Sequence, residues 1–376
     1  DEMGLGKTVQ LLAAILMRRQ KHQESPVLVV APKQVVDGGW MQKAHFVPGL
    51  RILNLTGPDR ATRFGQISQA DIVLVNYNTM RQDIAVLLEH AWSLVVFDES
   101  QYMKNMTSVS HNCARQLQAV AKRIMVVSGT PLENHVGELH AQMALSTPGL
   151  LGDSKEFNKF YRYPIERHGD ADALSRLRRR LGPFILRRKK EDVLTDLPPK
   201  TEILRQVSLA PEQQALYDQH KLAASKKVWE ALHTRGLANA QITVLDQLQR
   251  LQMICCHPKL NRGAPGKGES AKVEHILEIV DDVLDRSRRL VIVSQYVSFL
   301  KLIGEELTKR GQRYFEIYGS SRDRLEAQNA FQRGERPIML LSLKAGGVGL
   351  DLTAADNVIV ASPWWNPQAE NQAIDR

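Results

Sequence analysis

The sequence predicts an α/β fold of two lobes, each a parallel sheet with crossover helices and each carrying a helical insertion. Three observations lead there. Short, almost wholly apolar, β-branched runs alternate with helical stretches at both ends of the chain, the pattern of a sheet covered on both faces. The strand signal disappears between about residues 135 and 260. The 376 residues also exceed the roughly 250–300 at which a single core stops growing.

The elements follow in order. Val27–Ala31, Asp71–Tyr77, Leu94–Asp98 and Arg123–Ser128 read as the strands of the first lobe, residues 1–134. Residues 135–200 form a helical insertion and inter-lobe segment that ends at the Leu197-Pro198-Pro199 break. Residues 201–268 form the helical insertion of the second lobe, with helices at Pro211–Leu232 and Ala238–Cys256. Asn261–Ser270 is a Gly-rich linker; its Gly266-Lys267-Gly268 lacks the Ser/Thr and the preceding strand of a phosphate loop. Leu290–Ser294, Tyr314–Ile317, Pro337–Ser342 and Asn357–Ala361 then supply the strands of the second lobe, 269–376.

Composition removes several classes. The longest apolar runs, such as Leu11–Met17, fall far short of a bilayer span. No charged-then-apolar leader is present. Cys113, Cys255 and Cys256 cannot build a disulfide framework, so a reducing, intracellular compartment is the expectation. A zinc site on Cys255, Cys256 and His257 would lack workable further ligands. The chain opens inside a motif and reads as a piece of a longer polypeptide. Its formal charge is +9, yet Arg176, Arg178, Arg179, Arg180, Arg187, Arg188, Lys189 and Lys190 alone contribute +8 within Ala173–Lys190. The remainder is close to neutral. Leu174, Leu177 and Leu181 share one helical stripe, which turns the first arginine cluster outward. Phosphate-neutralising DNA contact or inter-lobe bracing explains such a concentration better than solvation alone.

The chemistry begins at the first residue. Asp1-Glu2-Met3-Gly4-Leu5-Gly6-Lys7-Thr8 resembles a phosphate loop, although Asp1 occupies the position of its first glycine. Glycines let backbone N–H groups close on phosphate, and the helix starting near Lys7 directs its positive end there. Lys7 is placed to reach the β- and γ-phosphates and Thr8 to reach Mg²⁺. At the end of the Leu94–Phe97 run, Asp98 and Glu99 form an acidic pair where α/β sites form. There Asp98 would hold Mg²⁺, and Glu99 would orient and deprotonate the attacking water. ATP and Mg²⁺ are the cofactors this arrangement calls for.

With those motifs, Asp98–Gln101 (D-E-S-Q) and Ser128–Asn134 (S-G-T-P-L-E-N), the chain resembles the Swi/Snf family of helicase-superfamily ATPases, which translocate on double-stranded DNA. The likeness runs on through Ala31-Pro32 with Trp40, Asn76-Tyr77, Leu186–Val193, Leu197–Lys200, Cys255–Pro258, Ser294–Tyr296, Gly319 with Arg324, Leu343–Leu352 and Trp364–Arg376. It implies two RecA-like lobes. It implies that Ser128, Gly129 and Thr130 couple nucleotide to DNA, and that Lys344, Gly346 and Gly347 approach DNA phosphate. The segment holding Arg187, Arg188 and Lys189 contacts DNA or braces the lobes by the same implication. Gln368, Gln372 and Arg376 recur every fourth residue on one helix face. The resemblance makes Gln372 a coupling residue and Arg376 an arginine finger, a group worth on the order of 10³–10⁵ in rate.

Departures are few. Ser100 stands where the family more often has Ala or Gly, and Asp351 where Asn is common. The resemblance also implies a glutamine motif upstream and a second arginine downstream of this segment. Trp364-Trp365 reads as core or lobe-interface packing ahead of base stacking. The expectation is a monomeric motor on double-stranded DNA, with bound protein such as RNA polymerase as cargo by analogy, working at the bacterial nucleoid or in a nucleus. A strand-separating helicase of the same superfamily and a non-catalytic DNA-binding scaffold are the competing readings.

Overall fold

In the computed structural model, described residues are all except 22–25, 130–134, 194–195, 197–199, 262–267, 320, 322, 347–349, 351, 366–369, 372–373 and 375–376; the side chains of 21, 235, 237–239 and 344 also lie outside the description. The chain divides into two compact units, essentially 1–198 and 199–376.

The first unit holds a five-stranded parallel sheet in the order β2-β3-β1-β4-β5, with β1 Val27–Ala31, β2 Ile52–Asn54, β3 Ile72–Asn76, β4 Leu94–Asp98 and β5 Ile124–Val127. In-register pairing sets Val29 beside Leu74 and Val96. Period-two alternation then sorts the strands into two cores. Leu28, Val30, Val73, Val75, Val95 and Phe97 face one side. Val27, Val29, Ile72, Leu74, Leu94 and Val96 face the other, under helix α1 Lys7–Lys21 through Leu11, Leu12 and Ile15. The short edge strand β2 escaped the sequence reading: three half-buried residues carry too little apolar pattern to register.

The insertion of the first unit is helical. Helix α2 Gly137–Ser146 buries Glu138, His140 and Gln142. Helix α3 Ala171–Leu181 is capped by Asp170, whose carboxylate accepts from Ala173 N. It buries Ala173, Leu177 and Leu181, and its arginines face outward as the stripe predicts.

The second unit holds a four-stranded parallel sheet in the order β7-β8-β6-β9: β6 Leu290–Ser294, β7 Tyr314–Ile317, β8 Ile338–Ser342 and β9 Asn357–Ser362. Helices α5 Ala271–Asp285 and α6 Val297–Lys309 cover one face through Val273, Ile276, Val280, Phe299, Leu300 and Ile303. Its insertion, α4 Pro211–Cys256, is two helices that meet at Gly236 (φ 71°, ψ 169°), between the expected helices Pro211–Leu232 and Ala238–Cys256. Cys256 packs into the unit's core, where burial pushes its thiol up to about 11. Trp365 is 60% exposed, so it lies outside the core of this unit. Among the described residues, no helix is long and apolar enough to cross a membrane.

Candidate nucleotide site

The phosphate loop leads into α1 at Lys7. Gly4 (φ 82°) and Gly6 (φ 72°) both lie in the left-handed region, which makes glycine the residue that suits these positions. The Lys7 ammonium turns back into the loop and donates to the carbonyl oxygens of Glu2 (2.9 Å) and Asp1 (3.2 Å). Gly129, just beyond β5, closes on the same place: a Cβ there would meet Met3 Cγ at 2.8 Å and Lys7 Nζ at 3.7 Å.

The acidic pair sits at the carboxyl end of β4. Asp98 and Glu99 are both buried. Asp98 Oδ2 accepts from Trp40 Nε1 at 3.0 Å, and Oδ1 accepts from Glu99 N at 3.0 Å. The Tyr77 hydroxyl donates to Asp98 O at 2.8 Å, and its ring stacks on Tyr102. Burial, reinforced by the adjacent Glu99 carboxylate, pushes Asp98 up to about 6 against the pull of the two hydrogen bonds and Lys7. Burial likewise pushes the Tyr77 phenol well above its ordinary value, so it stays a neutral donor.

A polar bridge leaves this pair. Gln101 Nε2 donates to Glu99 Oε2 at 3.1 Å, and Ser128 Oγ donates to Gln101 Oε1 at 3.0 Å. The end of β4 is thereby linked to the end of β5. Ser100 is buried and donates to Gln142 Oε1 at 2.7 Å. Its hydroxyl therefore has a partner in α2, which accounts for a serine at a position where the resemblance favours Ala or Gly.

Mg²⁺ fits this donor set. Asp98 supplies a buried carboxylate with an unfavourable like-charged neighbour, and Thr8 supplies a hydroxyl in the first turn of α1. One or two hard oxygen ligands, with phosphate and water completing the shell, is how proteins hold this ion. A Cβ on Gly39 would sit 4.0 Å from Thr8 Oγ1, so the turn carrying Trp40 approaches the same threonine.

The remaining site residues fall as follows. Arg188 and Lys190 lie against the loop: Arg188 N and Nε bond Asp1 Oδ1 at 3.0 and 3.1 Å, and Lys190 N donates to Glu2 Oε2 at 2.9 Å. Arg187 is 3.9 Å from Glu2, and Lys189 pairs with Glu191 at 2.7 Å. Gly346 ends a short helical turn, Leu343–Gly346, after β8; the backbone of Lys344 is in that turn and its side chain is outside the description. Thr130, Gly347, Gln372 and Arg376 lie outside the described residues. Gln101 and Tyr77 carry no role legible in the sequence, and Trp40 only a place in a motif. Gln101 had a usable signal: it is the fourth residue of D-E-S-Q, two positions after the acidic pair.

A phosphate loop beside an acidic strand end, on one of two parallel-sheet units, defines a nucleotide-site protein of the P-loop class. Residues 1–260 match the SNF2-related domain, and residues 271–376 match the helicase conserved C-terminal domain. The chain belongs to the SNF2-related family. It is 33% identical over its whole length to YwqA of Bacillus subtilis (strain 168), which carries an ATP-dependent helicase/translocase designation. It is 32% identical to the Zorya protein ZorD of Escherichia coli O139:H28 and 30% identical to the ISWI chromatin-remodeling complex ATPase ISW2 of Saccharomyces cerevisiae. It covers 42%, 38% and 35% of those proteins respectively, under half of each. Among solved structures, the Sulfolobus solfataricus SWI2/SNF2 ATPase core in complex with dsDNA aligns with a TM-score of 0.51 at 30% identity, covering 99% of this chain and 79% of that one.

Proposed function

We propose that this chain is the motor of a DNA-dependent ATPase that hydrolyses ATP, with Mg²⁺, to translocate on double-stranded DNA and remodel protein–DNA complexes without separating the strands. The observation that carries the proposal is the bridge Glu99–Gln101–Ser128 beside the phosphate loop. It ties the group that activates water to the strand end that the family resemblance assigns to DNA coupling.

Lys7 and the loop N–H groups bind and orient the phosphates. Glu99 takes the proton from the water that attacks the γ-phosphorus, and ADP leaves as the bond to its β-phosphate oxygen breaks. Thr8 and Asp98 would hold Mg²⁺, which when bound would supply charge neutralisation at the phosphates. Gln101 holds the Glu99 carboxylate in place, and Ser128 fixes Gln101. Arg376, Gln372, Lys344, Gly346 and Gly347 contribute from the second unit in this reading: the first as an arginine finger, the others to coupling and DNA contact. The support for duplex DNA is the likeness to the dsDNA-bound Sulfolobus core and to a chromatin-remodelling ATPase. The domain limits 1–134, 135–200, 201–268 and 269–376 and a place at nucleoid or nuclear DNA belong to the same proposal, as does a monomeric motor with DNA-bound protein such as RNA polymerase as cargo.

The test uses the full-length protein. ATP hydrolysis should rise sharply with duplex DNA, a third strand should be displaced from a triplex, and Glu99→Gln should bind ATP without turning it over. Absence of stimulation by any nucleic acid overturns the proposal. Unwinding of a forked duplex replaces the translocase with a strand-separating helicase.

A further inference from the structure

Two oddities of the sequence meet in one place. The phosphate loop begins with Asp1 where the general pattern has glycine, and a basic cluster stands almost 190 residues away. In the fold, Asp1 is the anchor of that cluster. Its carboxylate, only 7% exposed, takes Arg188 N at 3.0 Å and Arg188 Nε at 3.1 Å on Oδ1, while Arg188 Nη2 closes on Oδ2 as the second arm of a fork. The same Nη2 donates to Gln10 Oε1 at 2.6 Å on the first turns of α1. Glu2 repeats the arrangement, with its N donating to Arg188 O at 3.0 Å and its Oε2 accepting from Lys190 N at 2.9 Å. The Lys190 stem then lies over the loop, with Cε 3.0 Å from the place a Cβ on Gly4 would occupy.

We infer that Arg188 is a positioning residue for the phosphate loop, acting through Asp1 and Gln10, and that the Arg188–Lys190 stretch is a strap that holds the loop in its phosphate-binding shape. The inference rests on the nucleotide-site reading above. A bidentate guanidinium–carboxylate pair fixes direction as well as distance, and it pins both ends of the loop, since Asp1 precedes the glycines and Gln10 follows Lys7. Lysine could not replace the fork, because a single ammonium lacks its planar geometry. Asp1 is in this account the acidic half of a clasp.

The experiment is a double-mutant cycle on the full-length protein without DNA, read by the Kd of a fluorescent ADP analogue and by thermal unfolding. Asp1→Asn keeps the shape of the side chain and removes its charge; Arg188→Ala removes the fork. Each alone should weaken nucleotide binding about tenfold, the pair together should be no weaker than either, and Arg188→Lys should not restore affinity. With DNA present, the loss should appear mainly in KM for ATP, with kcat nearly kept. Singles that unfold more readily yet keep wild-type Kd would overturn the inference, as would fully additive losses in the double variant. If the wild type binds no nucleotide, the ATPase reading itself fails, an outcome distinct from both.

Discussion

Replacing Trp40 by Phe removes one hydrogen-bond donor from a buried carboxylate and keeps most of the ring that fills the core. In the wild type the indole N–H lies 3.0 Å from Asp98 Oδ2, Trp40 is fully buried, and Asp98 is 5% exposed, so water cannot take the donor's place. A hydrogen bond to a charged acceptor contributes about 1.5 kcal/mol, which corresponds to a roughly tenfold change in proton affinity. Asp98 already titrates at about 6, so near that pH half of the molecules hold it protonated and unable to bind a cation. A tenfold gain in proton affinity leaves only about one molecule in eleven ionised at pH 6, and the apparent Mg²⁺ requirement rises roughly fivefold. At pH 8 both proteins are almost fully ionised and the difference nearly vanishes. The assay is a Mg²⁺ titration of DNA-stimulated ATP hydrolysis at both pH values. An equal shift at pH 6 and pH 8, or none at either, refutes the reasoning that the indole serves by holding Asp98 ionised.

Other consequences can be measured alongside. Because the folded-state value of Asp98 lies above its ordinary 3.8, the folded protein binds a proton that the unfolded chain releases between those values, and stability falls as pH rises through the window. Asp98→Asn should therefore stabilise the nucleotide-free protein by about 1–2 kcal/mol at pH 7.5, with the gain fading toward pH 4; chemical denaturation that shows a loss at pH 7.5 contradicts this. Ser100→Ala leaves Gln142 Oε1 without its hydroxyl donor in a buried site and should cost about 1–3 kcal/mol in the same assay, whereas an unchanged midpoint would mean that the pair contributes nothing. Arg176, Arg178 and Arg179 are exposed and carry no ion pair or hydrogen bond among the described residues. Changing all three to Ala should flatten the salt dependence of DNA affinity by about 2–3 in log–log slope, and an identical slope would exclude them as phosphate contacts.

Much of this fold was legible because both sheets are parallel and covered on two faces. Seven of the strands then read as unbroken apolar runs, and Val27–Ala31, Leu94–Asp98, Leu290–Ser294 and Tyr314–Ile317 begin and end where the sequence indicated. What escaped lacks such a pattern. Edge strand Ile52–Asn54 is half-buried and short. The site divides in the same way. Loop and acidic pair are each a contiguous stretch of sequence, so their chemistry could be read there. The contacts Trp40–Asp98, Gln101–Ser128 and Asp1–Arg188 join residues 58, 27 and 187 positions apart, and only folding makes them neighbours. The basic segment divides by contact: Arg188 and Lys190 lie against the phosphate loop, a long-range pairing that no local pattern announces, while Arg176, Arg178 and Arg179 face solvent as their leucine stripe predicts.

Glu99 shows what the site costs its own backbone. It adopts φ 51° and ψ 55°, a left-handed conformation that a side chain bearing a Cβ disfavours by about 1–2 kcal/mol. Successive residues of a strand point to opposite faces, so two adjacent carboxylates can serve one site only if the chain departs from strand geometry between them. The turn at Glu99 makes that departure, and Asp98 Oδ1, Gln101 and Tyr77 hold it through hydrogen bonds to Glu99 N, its carboxylate and Asp98 O. A pair of variants isolates the backbone term. Glu99→Ala and Glu99→Gly both remove the carboxylate and should abolish hydrolysis while keeping nucleotide binding, but only glycine relieves the left-handed strain. Although glycine enlarges the entropy of the unfolded chain, at a left-handed position the relief outweighs it. Glu99→Gly should therefore be more stable than Glu99→Ala by roughly 1 kcal/mol in denaturant titration. If alanine proves equally or more stable, the turn is not strained, and the acidic pair owes its shared orientation to the hydrogen bonds alone.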